Sequence, residues 1–137
     1  MTSVAEKAVY AILAASTAVT NLVPTTRITP TRMKQNSALP AISYFRVDGP
    51  RVYCMTGPSG YALPRIQVDV WARDYPEAKT IAENVRVALS GYRGVIAGVT
   101  VQGIFCLDDH DVVDDQEEIL PIEMFHVAMD FRVHHNE

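Results

Sequence analysis

Three places in the 137-residue chain hold residue types that could do chemistry. Gly57-Pro58-Ser59-Gly60 sets a serine among glycines, but a phosphate loop needs GxxxxGK[ST] opening a helix, and a nucleophile elbow needs GxSxG between strand and helix. Pro58 instead marks a turn between extended segments. Asp108-Asp109-His110-Asp111 offers hard carboxylate oxygens suited to calcium or magnesium, yet lacks the glycine and the spaced glutamate of a calcium-binding hand. His126, Asp130 and His134 share one face of the closing strand. Strand positions four apart lie about 13 Å from one another, too far for one hydrogen-bonded constellation. With Arg132 they read as a polar outer face. No catalytic, cofactor-binding or metal-binding residue is assigned; a small metal-dependent hydrolase working through the acidic cluster is a remote alternative.

The acidic cluster belongs to a longer segment. Asp108, Asp109, Asp111, Asp114, Asp115, Glu117 and Glu118 put seven acids into residues 108–118 without one Lys or Arg. The formal charge of −4 therefore divides into a strongly acidic segment and a mildly basic remainder, with all 12 Lys and Arg set against the nine other acids. Such a run reads as a solvated acidic loop, relevant to partners and not to fold.

Trp71, the one tryptophan, stands in the polar register of a strand beside Arg65, Gln67, Asp69 and Arg73. An outward Trp flanked by arginines has the composition of an interface anchor. Sequence-specific nucleic-acid reading would call for a basic chain with stacking aromatics, and a pI near 5.5 disfavours it.

The elements that position these residues can be read from periodicity. Ile66, Val68, Val70 and Ala72 alternate with the Trp71 row, the period-two pattern of a strand with one face on a core. Asp74 and Glu77 form a capping box, Pro76 suits a first turn, and Ala78, Ile81, Ala82, Val85, Ala88 and Leu89 recur at helical spacing up to a stop at Gly91. Ser3 and Glu6 cap a first helix through Val4, Ala8, Ala11, Ile12 and Ala15, apolar almost all round. That helix is expected either inside the core or under a neighbouring subunit. A short turn from Ser16 or Thr17 ends near Asn21, ahead of Pro24.

Residues 27–33 read as an edge strand and 41–48 as a strand turning at Gly49-Pro50 into a hairpin partner at 51–55; Thr56 to Tyr61 is expected as a second turn. Residues 95–107 are strand-like, with Gly98 and Gly103 marking bulges. In the final strand Phe125, Val127, Met129, Phe131 and Val133 alternate with His126, Ala128, Asp130, Arg132 and His134. The order predicts a single α+β domain over 1–137, a mostly antiparallel sheet with two helices packed on one face. Cys54 and Cys106 have no CxxC partner and read as free, buried thiols of a reducing compartment. The apolar run from Ala8 to Ala15 is shorter than the roughly 20 residues a bilayer span needs.

The layout resembles the tail completion or tail terminator family of long-tailed bacteriophages. The resemblance rests on NLVPTTRITP after the first helix, LPAISYFRV, TGPSGYAL, RIQVDVWARDYPEAKTIAENVRVALSGYRG and FHVAMDFRVHH, and covers nearly the whole chain. It implies a non-enzymatic part of the virion, assembled in the host cytoplasm, that forms a sixfold ring capping the tail tube and joining tail to head. Its implied partners are copies of itself, the tail-tube protein and a head-side neck or stopper protein. DNA passes through the lumen non-specifically, and neither membrane nor cofactor is involved. In such a ring the outward face Arg65, Gln67, Asp69, Trp71 and Arg73, or the first helix, is expected to supply part of the subunit or partner interface. The acidic segment has no fixed counterpart in that family pattern; from its charge it is expected to repel passing DNA if placed at the lumen, or to dock a basic partner if placed at an end. Another neck component, such as a head-side stopper or adaptor, is the alternative.

Overall fold

The computed structural model describes residues 4–31, 39–112 and 125–136. In chain order it holds α1 (Val4–Ala15), α2 (Thr17–Thr20), a 3-10 turn (Thr25–Arg27), β1 (Ile28–Pro30), β2 (Ala41–Asp48), β3 (Arg51–Cys54) and β4 (Gly57–Ala62). There follow β5 (Arg65–Ala72), α3 (Tyr75–Leu89), β6 (Gly94–Ile96), β7 (Val99–Val112) and β8 (Phe125–Asn136). All pairings are antiparallel except that of β1 with β2. The expected α+β class and the mostly antiparallel sheet are both present, and α1 and α3 pack on the sheet's apolar face.

β8 is the axis of the sheet. Its Phe125–Arg132 stretch pairs with β5, and its opposite edge carries β7 from Val112 to Val101. Val127, Met129, Phe131 and Val133 point to one side, where they meet Ile66, Val68 and Val70 of β5, Ile104 of β7 and Ala78, Ile81, Val85 and Leu89 of α3. This is the predicted alternation made into a core, and every one of these side chains is buried.

The first helix belongs to the same core. Ala5, Ala8, Val9, Ile12 and Leu13 are buried within the chain, so its apolar character is satisfied by α3 and the sheet. Its expected cap at Ser3 lies outside the described residues. α3 begins at the expected place, but the Asp74 side chain makes no capping bond; the turn is closed by the Ala78 N–H donating to the Asp74 carbonyl at 2.9 Å. Gly91 stops the helix at φ +80°, where a side chain would be strained.

Several expectations are corrected. β3 does not pair with β2: β2 pairs with β5 and β3 with β4. The stretch expected as a turn, Thr56 to Tyr61, is mostly strand β4. Its glycines and proline are accommodated because the hairpin skips two residues, from Val52↔Tyr61 to Tyr53↔Pro58. Gly60 sits in this bulge at φ +79°, and the Ser59 hydroxyl donates to the Val52 carbonyl at 2.7 Å. Gly98 marks a β6–β7 turn with Ala97 and not a bulge, whereas the register of β7 does shift at Gly103. Cys54 is exposed and Cys106 partly so, in place of two buried thiols. Among the described residues no helix is long and apolar enough to cross a membrane.

Candidate assembly surfaces

Two runs of strand make a single long hairpin. β2 continues across Gly49-Pro50 into β3, and β4 continues across Leu63-Pro64 into β5, so that residues 41–72 form two antiparallel rows. β8 ends its pairing at Tyr61↔Asn136, and beyond that point, among the described residues, β3 and β4 pair with one another. The tip overhangs the sheet by two ladder steps, from Val52 to Cys54, roughly 7 Å at strand rise. Val52, Tyr53 and Met55 are exposed there, Met55 at 105% and Tyr53 at 67%. Beside them the Cys54 thiol is acidified, chiefly by hydrogen bonding with Thr56.

The sheet face opposite the helices carries the row singled out in the sequence. Arg65, Gln67, Asp69 and Trp71 do occupy one register, with Arg73 exposed just past the strand. They do not form a free polar row. Asp69 is 5% exposed: Gln67 Nε2 donates to its Oδ1 at 2.8 Å, and His126 Nε2 lies 3.0 Å from the same oxygen, off the line of a hydrogen bond. Trp71 stacks on His126 with ring centroids 4.5 Å apart and planes 22° from parallel. Arg65 Nη2 donates to Asp130 Oδ2 at 2.7 Å, and the buried Asp130 Oδ1 has no partner. Arg132 bridges Asp48 Oδ1 at 3.0 Å and the Leu63 carbonyl at 2.9 Å, tying β8 to both bends of the long hairpin. Register explains this set. Arg65, Gln67, Asp69 and Trp71 stand opposite Arg132, Asp130, Ala128 and His126, so Trp71 and His126 meet directly while Arg65–Asp130 and Asp69–His126 are diagonal neighbours across the two strands.

His126, Asp130 and His134 accordingly engage different partners. His134 Nδ1 is 2.8 Å from the Tyr61 hydroxyl, with the Phe105 ring edge-on at 5.2 Å. Burial first, and then the nearby Arg132 charge, lower the pKa of its imidazole.

The acidic segment is also corrected in part. Asp108, Asp109 and Asp111 lie on β7 and not in a loop; Asp114, Asp115, Glu117 and Glu118 lie outside the described residues. Strand alternation separates the three. Asp108 stands opposite Asp130 on the open face, 3.3 Å from His110 Nδ1, while Asp111 stands opposite Val127 on the helix side. There Asp111 accepts from Lys79 Nζ at 2.6 Å and from the Tyr75 hydroxyl at 2.7 Å. These two bonds, Lys79 first, hold its carboxyl below the usual range, and the Lys79 ammonium is raised in turn. Among the described residues no three His, Cys, Asp or Glu side chains converge to hold a metal.

The outer edge of β7 is the second surface that sequence reasoning missed. β6 covers it only at Val99–Val101. Past that point, among the described residues, the edge's backbone hydrogen bond is the Gly91 N–H donating to the Ile104 carbonyl at 2.8 Å. Phe105, Leu107 and Val112 are exposed along this stretch, and Val95 of β6 is 70% exposed. Phe105 and Leu107, apolar residues bracketing Cys106 in a strand, were the available signal.

A family model described as "Tail completion protein gp17" matches residues 7–136. No curated protein matches the chain. A solved chain from "Virion of native gene transfer agent (GTA) particle" has a TM-score of 0.77 over 100% of both chains at 20% sequence identity, a likeness of fold.

Proposed function

The chain belongs to the tail completion protein gp17 family, a family of structural components of phage-type virions, and from that membership we propose that it closes a tail. Copies form a ring, expected to be sixfold, that caps the tail tube, meets a head-side neck protein, and leaves a lumen through which DNA passes without sequence recognition. The observation that carries the reading is the family match across residues 7–136. The shape of the subunit supports it: one sheet exposes an apolar arm on one side and an apolar, largely unpaired strand edge on the other. A head-to-tail contact between unlike patches is what a closed ring uses.

The open sheet face, with Arg65, Gln67, Trp71 and Arg73, is then available to the tube or the head-side partner. Asp108 and the acids that follow it in sequence bias a lumen against DNA adhesion or dock a basic partner. Neutralising Asp108, Asp109 and Asp111 to Asn should slow DNA passage or weaken docking, and wild-type particle yield from that variant would show the segment to be inert.

Light scattering after size exclusion should give about six times the 15.2 kDa chain mass. Particles made without the chain should separate into filled heads and unjoined tails in electron micrographs. A monomer at every concentration, together with normally joined particles in its absence, would refute the proposal. Gold-labelled chain at the head vertex, absent from isolated tails, would assign it instead to a head-side stopper or adaptor.

A further inference from the structure

Resting on the ring reading, we infer that the β3–β4 arm of one copy docks along the outer edge of β7 in the next copy. The arm is unfinished within its own chain. Met55 is fully exposed and Tyr53 two-thirds exposed at the end of a hairpin whose tip, among the described residues, pairs only between its own two strands. An isolated two-stranded hairpin with apolar side chains in water is marginal, so this one gains order when it is seated.

The β7 edge is unfinished in the complementary way. Its inner edge is paired with β8 from Val101 to Val112, while its outer edge past Val101 presents backbone N–H and C=O groups with Phe105, Leu107 and Val112 exposed around them. An open strand edge accepts an added strand, and here Pro, Lys and Arg, the residues that commonly block such addition, do not occur between Val99 and Val112. The edge is acidic instead. Asp108 and Asp109 are exposed, whereas on the other side of the sheet Arg46 of β2, near the base of the arm, is exposed. These charges repel another acidic edge and not the arm, which carries no Asp or Glu between Arg51 and Ala62, and this favours the unlike contact over edge-to-edge pairing of two β7 strands.

The occupant is the arm of a second copy, not the chain's own. β7 lies on one side of β8, and the β4–β5 row that carries the arm lies on the other, so a chain cannot seat its own arm on its own edge. Each copy then offers one arm and one edge, and a row of such contacts closes when the rotation per subunit divides a full turn.

The test uses full-length protein with exposed substitutions, each variant first checked for an unchanged circular dichroism spectrum and melting curve. The arm variant Tyr53→Glu/Met55→Glu and the edge variant Phe105→Glu/Leu107→Glu should each raise the concentration for half-assembly at least tenfold. Mixed in equal amounts, they keep one good arm and one good edge between them, and should form a heterodimer near twice 15.2 kDa and nothing larger. In a Cys106→Ser/Leu107→Cys background, a short bismaleimide should link Cys54 of one copy to position 107 of the next and give a ladder of oligomers that Cys54→Ser abolishes. If the wild type assembles and both variants assemble equally well, the docking is wrong while the ring stands. A wild type that stays monomeric and gives no ladder overturns both.

Discussion

Replacing Arg65 by Met should strand a buried carboxylate. Asp130 Oδ2 accepts one charge-assisted bond, from Arg65 at 2.7 Å, and its Oδ1 is buried without a partner. Removing one member of a buried ion pair costs about 3–5 kcal/mol. The Asp130 side chain is 7% exposed but that of Arg65 is 36% exposed, so water enters part of the space the guanidinium leaves. Screening of that kind brings the expected loss down to about 1.5–2.5 kcal/mol.

Asp130→Leu removes the charge that needs the partner, so the double variant Arg65→Met/Asp130→Leu should recover most of the loss, with a coupling energy of about 1 kcal/mol or more. Urea unfolding followed by the fluorescence of Trp71, which reports the same sheet face, gives all four corners of the cycle. A coupling below about 0.3 kcal/mol, or a double variant no more stable than Arg65→Met, would mean that the pair is solvated and that burial on this face costs little.

Three further outcomes follow from the geometry. Phe131 is fully buried at the centre of β8, and Phe131→Ala should cost about 3–5 kcal/mol, read as a lower urea midpoint; a loss under about 1 kcal/mol would mean that the core closes over the gap. Ala97 holds φ +52° beside Gly98 at +77° in the β6–β7 turn, so Ala97→Asn or Ala97→Gly should stabilise by about 0.5–1 kcal/mol in thermal melts. The Asp111 carboxyl is depressed by its bonds from Lys79 and Tyr75. Its contribution is thus fully present above the unfolded-chain pKa near 3.9 and lost as pH falls through the lower folded value. The stability difference between wild type and Lys79→Met should therefore shrink as pH drops from 6 to 3, and a constant difference would dissociate the contact from Asp111.

The sequence by itself determined which face of each main strand and helix is apolar. Ile66, Val68 and Val70, the Phe125 to Val133 alternation and the α3 stripe occupy the core as their spacing requires, because side-chain periodicity is a local property of backbone geometry. The residues that carry the family resemblance are of the same local kind. Tertiary structure alone decided which strands pair. Gly57, Pro58 and Gly60 carry turn chemistry, and only the bulged pairing with β3 makes their stretch a strand that projects as an arm. Asp108 to Asp111 carry the charge of a loop, and only pairing with β8 extends β7 through them and turns Asp111 toward Lys79. Asp69 stands in an outward register, and its burial follows from its neighbours, Gln67 on its own strand and His126 across the strand boundary on β8. Pairing partners are chosen by contacts distant in sequence, and no local pattern records them. The arm and the open edge, the two surfaces most suited to assembly, are consequences of that choice.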